Sequence, residues 1–413
     1  MSFQRAGTVE TAELQADPEV GVLLYCAKHR SEPQGGADLP SLLQKGVDWP
    51  RLWKVAESHG MLPLLHRVMS ASPGAMPEAS GTSPQATGQS ETVRSLYLTE
   101  ELFRILDGLD ARQIPAVPYK GPVLAMSAYG DVGLRGFRDL DILVPKQDMF
   151  RAKEVLLSQG YEPSSAEEEG PAGEHTAHFA SAWAFVRPAD GIAVDLQWKA
   201  TFFKGLSSPV ERGDFWERLE HRSLAGRTVR VMPAETLLQV LCIHGCRHLW
   251  ERLIWICDVA ALIESEPDLD WERVMAEAES QGNRRVAFIG LLLANELLGT
   301  AVPTDVLDKA KTDKVACKLA GQARERLCFD AARPIRALEA RTFHLQMLER
   351  FGDRVRYFQH FAGSLVAPND RDRAVIPLPQ GLSFLYYAIR PVRLLLRYGL
   401  VPLRLPGKIF SGT

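Results

Sequence analysis

Residues 116–145 read Ala116-Val-Pro-Tyr-Lys-Gly-Pro-Val-Leu-Ala-Met-Ser-Ala-Tyr-Gly-Asp-Val-Gly-Leu-Arg-Gly-Phe-Arg-Asp-Leu-Asp-Ile-Leu-Val-Pro145, and the order of residue types in this stretch decides how the rest of the chain is read. Asp139 and Asp141 flank one apolar residue and run into Ile142, Leu143 and Val144. That is the pattern of a buried strand whose first residues place two acids on one face. Two carboxylates so placed repel each other unless a cation sits between them. Hard oxygen donors of this kind suit Mg²⁺ or Mn²⁺, which bind through a few carboxylates and leave other positions to water and substrate phosphates.

Upstream, Ala116 to Tyr119 is a short apolar run, followed by Lys120, Gly121 and Pro122 and then by the helix-like Val123 to Tyr129. Strand, glycine turn and helix start follow directly. Proline just after the turn fits the first helical position, and the exposed N–H groups there suit a phosphate. Lys120 would add a mobile positive charge, with Arg135 and Arg138 as further charge partners.

These residues resemble the uncharacterised nucleotidyltransferases of the polymerase-beta-type superfamily. The features shared with that family are the Lys120-Gly121 turn, Tyr129-Gly130-Asp131, Arg135 four residues before the acidic pair, and Asp139-x-Asp141 with its apolar run. The resemblance implies an α+β fold: a nucleotidyltransferase core of a small mixed sheet with helices, plus largely α-helical N- and C-terminal regions. It also implies transfer of a nucleotidyl group from a nucleoside triphosphate to an acceptor.

A third carboxylate stands downstream. His178–Val186 and Ile192–Trp198 read as strands joined by Arg187-Pro-Ala-Asp-Gly191, a turn signal, and so as a hairpin. Within the second strand, Val194 and Leu196 share one face and Asp195 takes the other, from which it could reach the cation site of an adjacent strand. A solvated strand aspartate is the plainer reading of Asp195 alone. The resemblance implies that Asp139, Asp141 and Asp195 form a metal triad with catalytic work, and that Lys120, Gly121, Arg135 and Arg138 hold the nucleotide.

Pro233–Glu264 reads as one strongly apolar helical stretch with His244 and His248 on one face. The pair could bind zinc, with Asp258 as a third ligand of a hydrolase, or simply pack. A zinc-protease motif is excluded because Gly245, not glutamate, follows the first histidine. The resemblance implies instead that His244 and His248, with Trp250, Trp255 and Asp258, belong to an accessory helical region closing over the nucleotide.

The remaining chain is read around this core. Residues 1–69 carry helical spacing at 18–30 and 48–69, 70–90 is rich in Ser, Pro, Gly, Ala and Thr and reads as a linker, and 91–232 holds the core. Residues 233–330 form the accessory helices, and 331–413 a helical region whose tail carries Arg390, Arg393, Arg397 and Arg404 on a helix and extended arm. Ser164–Glu174 reads as an acidic loop.

At 413 residues with 46% apolar content the chain can bury a sizeable core, and a formal net charge of −3 gives no general attraction for nucleic acid. Six cysteines, Cys26, Cys242, Cys246, Cys257, Cys317 and Cys328, lack paired metal spacing and read as reduced thiols. With no signal-type N-terminus and no run long enough to span a bilayer, a cytoplasmic protein is expected. The expected partners are a nucleoside triphosphate and an acceptor, whether small molecule, peptide or protein. A non-catalytic nucleotide- or partner-binding scaffold is the alternative.

Overall fold

Proline and aspartate set where the first helices begin. In a computed structural model of the chain, Asp17 caps helix α1 (Pro18–Lys28) by accepting from the N–H groups of Glu19 and Val20. Asp48 caps the third helix in the same way through Arg51 N–H at 3.1 Å. The described residues are 17–30, 39–44, 46–72, 84–164, 182–199, 206–327, 337–366 and 380–398. After α1 come α2 (Leu39–Leu43), α3 (Trp49–Ser58), α4 (Leu62–Ser70) and α5 (Pro84–Ala111). Helix α5 starts inside the stretch read as a linker, with a proline at its first position, where the missing N–H costs nothing.

The sheet follows. Strand β1 (Val117–Pro118) leads into α6 (Gly121–Tyr129), then β2 (Asp139–Leu143), α7 (Met149–Ser158), β3 (Glu162–Pro163), β4 (Ala182–Arg187) and β5 (Ile192–Gln197). Its strand order is β1-β2-β5-β4-β3, with β2 and β5 parallel and the other neighbours antiparallel. The expected hairpin is β4 and β5, although residues 178–181 and 165–174 lie outside the described residues. Leu140, Ile142, Val194 and Leu196 enter a core with Trp183, Phe185 and residues of α5 and α7. Because strand side chains alternate, that burial turns Asp139, Asp141 and Asp195 to the other face.

A second, two-stranded hairpin, β6 (Glu220–Leu224) and β7 (Arg227–Val231), is not among the sequence expectations. It turns through Ala225 and Gly226, both at positive φ (47° and 82°), the geometry tight hairpin turns favour.

The apolar stretch from Pro233 is two helices and not one: α8 (Ala234–Arg247) and α9 (Leu253–Ser265). Leu249 and Trp250 break it, both in the left-handed region (φ 56° and 55°). The break lets the Trp250 indole lie fully buried against Gly245, where an added Cβ would come within 2.5 Å of the ring, and against Gly290. Helices α10 (Trp271–Gln281), α11 (Arg284–Leu298), α12 (Thr304–Thr312), α13 (Lys314–Leu327) and α14 (Ala337–Met347) complete a unit spanning Met1–Glu349. Arg350–Thr413 forms a second unit, with α15 (Phe351–Val366) and α16 (Tyr386–Tyr398). The expected arm beyond residue 398 lies outside the described residues. No helix among the described residues is long and apolar enough to cross a membrane.

Candidate active site

Register decides what the sheet presents. Pairing of β2 with β5 sets Asp141 directly opposite Asp195, with Asp139 one pleat earlier on the same face. Asp141 is buried; its Oδ1 accepts from Gln197 Nε2 at 2.6 Å and has the Tyr119 hydroxyl and Lys120 Nζ each at 3.5 Å. Tyr119 donates to Gln197 Oε1 at 2.6 Å, so the amide and the phenol orient each other beneath the carboxylate.

The acids strain against their setting. Burial, then the charges of Asp141 and Asp139, push Asp195 up to about 7. Burial and Asp141 likewise raise Asp139 above the ordinary carboxylate range. Each shift means that burial and the neighbouring like charge disfavour the ionised form.

Lys120, Gly121 and Pro122 turn the chain from β1 into α6. Gly121 has φ 53°, left-handed backbone that side chains rarely adopt, so glycine serves the turn. Buried Lys120 reaches Asp141 on one side and His244 Nδ1 at 3.2 Å on the other. An ammonium only donates, so His244 must accept at Nδ1 and carry its proton on Nε2. Burial, with Lys120 and His248 nearby, holds His244 well below the usual imidazole range, in keeping with a neutral ring.

These groups line one cavity of about 450 Å³. Lys120, Gly121, Arg135, Arg138, Asp139, Asp141 and His244 form much of its wall, Glu57, Gly60 and Pro63 come from the N-terminal helices and their connection, and Arg252, Ile254 and Trp255 from α9 and the loop before it. Asp195 stands behind Asp141 on the next strand. His248 packs beside the cavity, its ring 5.0 Å from Trp255 and 4.8 Å from His244, and burial lowers it to about 4.

One expected residue has other employment. Arg135 gives both arms of its guanidinium to Asp258, at 2.7 and 2.9 Å, and the Tyr129 hydroxyl donates to the same carboxylate at 2.8 Å. This clamp fastens the end of α6 and the loop before β2 onto α9. Asp258 is thereby committed, so His244, His248 and Asp258 do not assemble a zinc site. Arg138, mostly exposed, lies 3.5 Å from Glu57 at the cavity rim.

Sequence reasoning missed Tyr119, Gln197 and Arg247. Gln197 carried a signal, being the second polar residue on the Asp195 face of an otherwise apolar strand. The charge of Arg247, at the end of α8, acts on Asp195, and only the tertiary fold brings it there.

Among the described residues no three His, Cys, Asp or Glu side chains converge into a ready cage for a metal ion. The donor set nevertheless fits a hard divalent cation: three carboxylates on adjoining strands, two of them raised by burial and then by mutual repulsion.

The chain belongs to the family described as uncharacterised nucleotidyltransferases, whose pattern it matches over residues 45–299. That span takes in the N-terminal helices from α3, the sheet and the helices through α11. Among solved structures, the chain is similar to that of the antibiotic-resistance factor ANT(2″)-Ia, at 14% identity over 45% of this chain and 91% of that one, with a TM-score of 0.32. A likeness that slight carries no argument about this fold or its acceptor. No curated protein matches the chain.

Proposed function

We propose that the protein is a divalent-metal-dependent nucleotidyltransferase that moves a nucleoside monophosphate from a nucleoside triphosphate to an acceptor hydroxyl or comparable group, releasing pyrophosphate. The observation that carries the reading is the register pairing of Asp141 with Asp195 on parallel strands, with Asp139 on the same face and Lys120 and Gly121 at the adjoining helix start. Family membership supports the reaction class.

Asp139, Asp141 and Asp195 would hold Mg²⁺ or Mn²⁺. When bound, such ions neutralise charge that accumulates on the attacking and leaving oxygens of an in-line displacement. The chain's own residues do the rest. The N–H groups at the start of α6 and the Lys120 ammonium face the triphosphate, which fits their positive ends. Gln197 and Tyr119 fix the rotamer of Asp141. The Arg135–Asp258–Tyr129 clamp holds the loop before β2, so the two acids keep their place relative to α9. His244 and Trp255 close one side of the cavity and limit water. Arg138 at the rim adds positive charge where a phosphate enters. Rate enhancement on this scheme comes from positioning and fixed charge.

Calorimetric titration with each of the four common nucleoside triphosphates, with and without Mg²⁺, tests the reading on the wild type and on an Asp139→Asn, Asp141→Asn double variant. Magnesium-dependent binding that the variant loses is the expected result. Binding that ignores both magnesium and the substitutions would favour a scaffold that recruits nucleotide without turnover.

A further inference from the structure

We infer that Lys120 is the resident counter-ion of the acidic strand pair, held over Asp141 by His244, so that a divalent cation enters this site together with the nucleotide and not ahead of it. The inference rests on the metal-dependent reading above and adds an order of binding to it.

Three observations carry it. First, Lys120 Nζ lies between an anion and a neutral acceptor, 3.5 Å from Asp141 Oδ1 and 3.2 Å from His244 Nδ1. Second, only 9% of its side chain is exposed, so water does little to screen its charge. Third, the other buried cation of this wall is unsuited to the task. Arg135 is bound bidentately by Asp258 and is further fixed through Tyr129, whereas Lys120 is a point charge on a four-carbon stem that can swing.

A metal ion arriving alone must displace the ammonium from Asp141 and leave it buried with only a neutral imidazole, which is costly. A metal–triphosphate complex removes that cost, because its phosphates give Lys120 a new anionic partner at the moment Asp141 is released. His244 is then a positioning residue: it sets where the ammonium rests.

The test uses the full-length protein and Mn²⁺ alone as probe, read by calorimetry and by the thermal unfolding midpoint, before any triphosphate is added. Wild type is expected to show little binding and no rise in midpoint with Mn²⁺ alone, and both responses once triphosphate is present. Lys120→Met should bind Mn²⁺ without nucleotide at least about tenfold more tightly than wild type, since a like charge is gone from the site. Its midpoint, lowered in the metal-free protein, should be restored by Mn²⁺ alone. His244→Phe, which keeps every charge but removes the acceptor, should give a smaller gain in the same direction and carries the test by itself if Lys120→Met does not fold. Wild type binding Mn²⁺ alone as tightly as both variants would overturn the inference while leaving the metal site standing. Mn²⁺ binding by none of the proteins, with or without triphosphate, would instead remove the reading on which the inference rests.

Discussion

Arg135 and Lys120 line the same cavity and each faces a buried carboxylate, but the two pairs are made differently. Arg135 and Asp258 meet fork to fork at 2.7 and 2.9 Å with a tyrosine donating to the same acid. Lys120 and Asp141 stand 3.5 Å apart, and the acid takes its short hydrogen bond from a neutral amide. The first is a closed contact that joins the loop before β2 to α9. The second is loose, shares its cation with His244, and sits among acids whose charge is not fully compensated. One pair holds the fold in place; the other is poised to exchange partners.

The largest effect expected from separating them is on stability. Arg135→Met leaves Asp258 buried without its cation and should cost about 3–5 kcal/mol in chemical denaturation. A loss below about 1 kcal/mol would mean the clamp is not the structural member of the comparison. Asp141→Asn should show the reverse profile. Turnover, once an acceptor is found, should fall roughly 10²- to 10³-fold, with the unfolding midpoint moving much less than in Arg135→Met, because Asp139 and Asp195 remain as anions near the Lys120 ammonium while a like charge is gone.

Gly245→Ala should fall between them. Its Cβ would meet the Trp250 ring at 2.5 Å, an overpacking that costs about 1–3 kcal/mol. The strain lies one residue from His244, so triphosphate affinity should weaken along with stability. Unaltered affinity would show that α8 tolerates the shift.

A further expected effect is one of pH. Asp195 titrates near 7 in the fold against an ordinary 3.8, so between those values the native protein binds more protons than the unfolded chain. Its contribution is fully present at the acid end and is lost as pH climbs from about 4 through 7. In metal-free protein the midpoint difference, wild type minus Asp195→Asn, should therefore decline over that window and then level off. A flat difference would place Asp195 outside the acidic cluster.

How much of this was legible in the sequence follows the range of the interaction concerned. The acidic strand was readable because period-two alternation is local: Leu140 and Ile142 go to the core, so Asp139 and Asp141 cannot. The same logic put Asp195 on the correct face, and the parallel register with β2 then brought it beside Asp141. The glycine turn with Pro122 was equally local. The role of Arg135 was not, because its partner Asp258 lies 123 positions away and charge spacing names no partner. The α8–α9 break was hidden because Leu249 and Trp250 have apolar side chains suited to a continuous helix. Their left-handed backbone is imposed by burial of the indole against Gly245 and Gly290. The β6–β7 hairpin escaped because Ala225-Gly226 is a weaker turn signal than Asn-Gly.

The most direct measurement is a crystal structure with Mn²⁺ and a non-hydrolysable triphosphate, read through the anomalous signal of the metal. The account requires the manganese peak among Asp139, Asp141 and Asp195, with the phosphates at the start of α6 and Lys120 turned from Asp141 toward them. Manganese on His244 and His248, or a triphosphate bound away from β2 and β5, would contradict it.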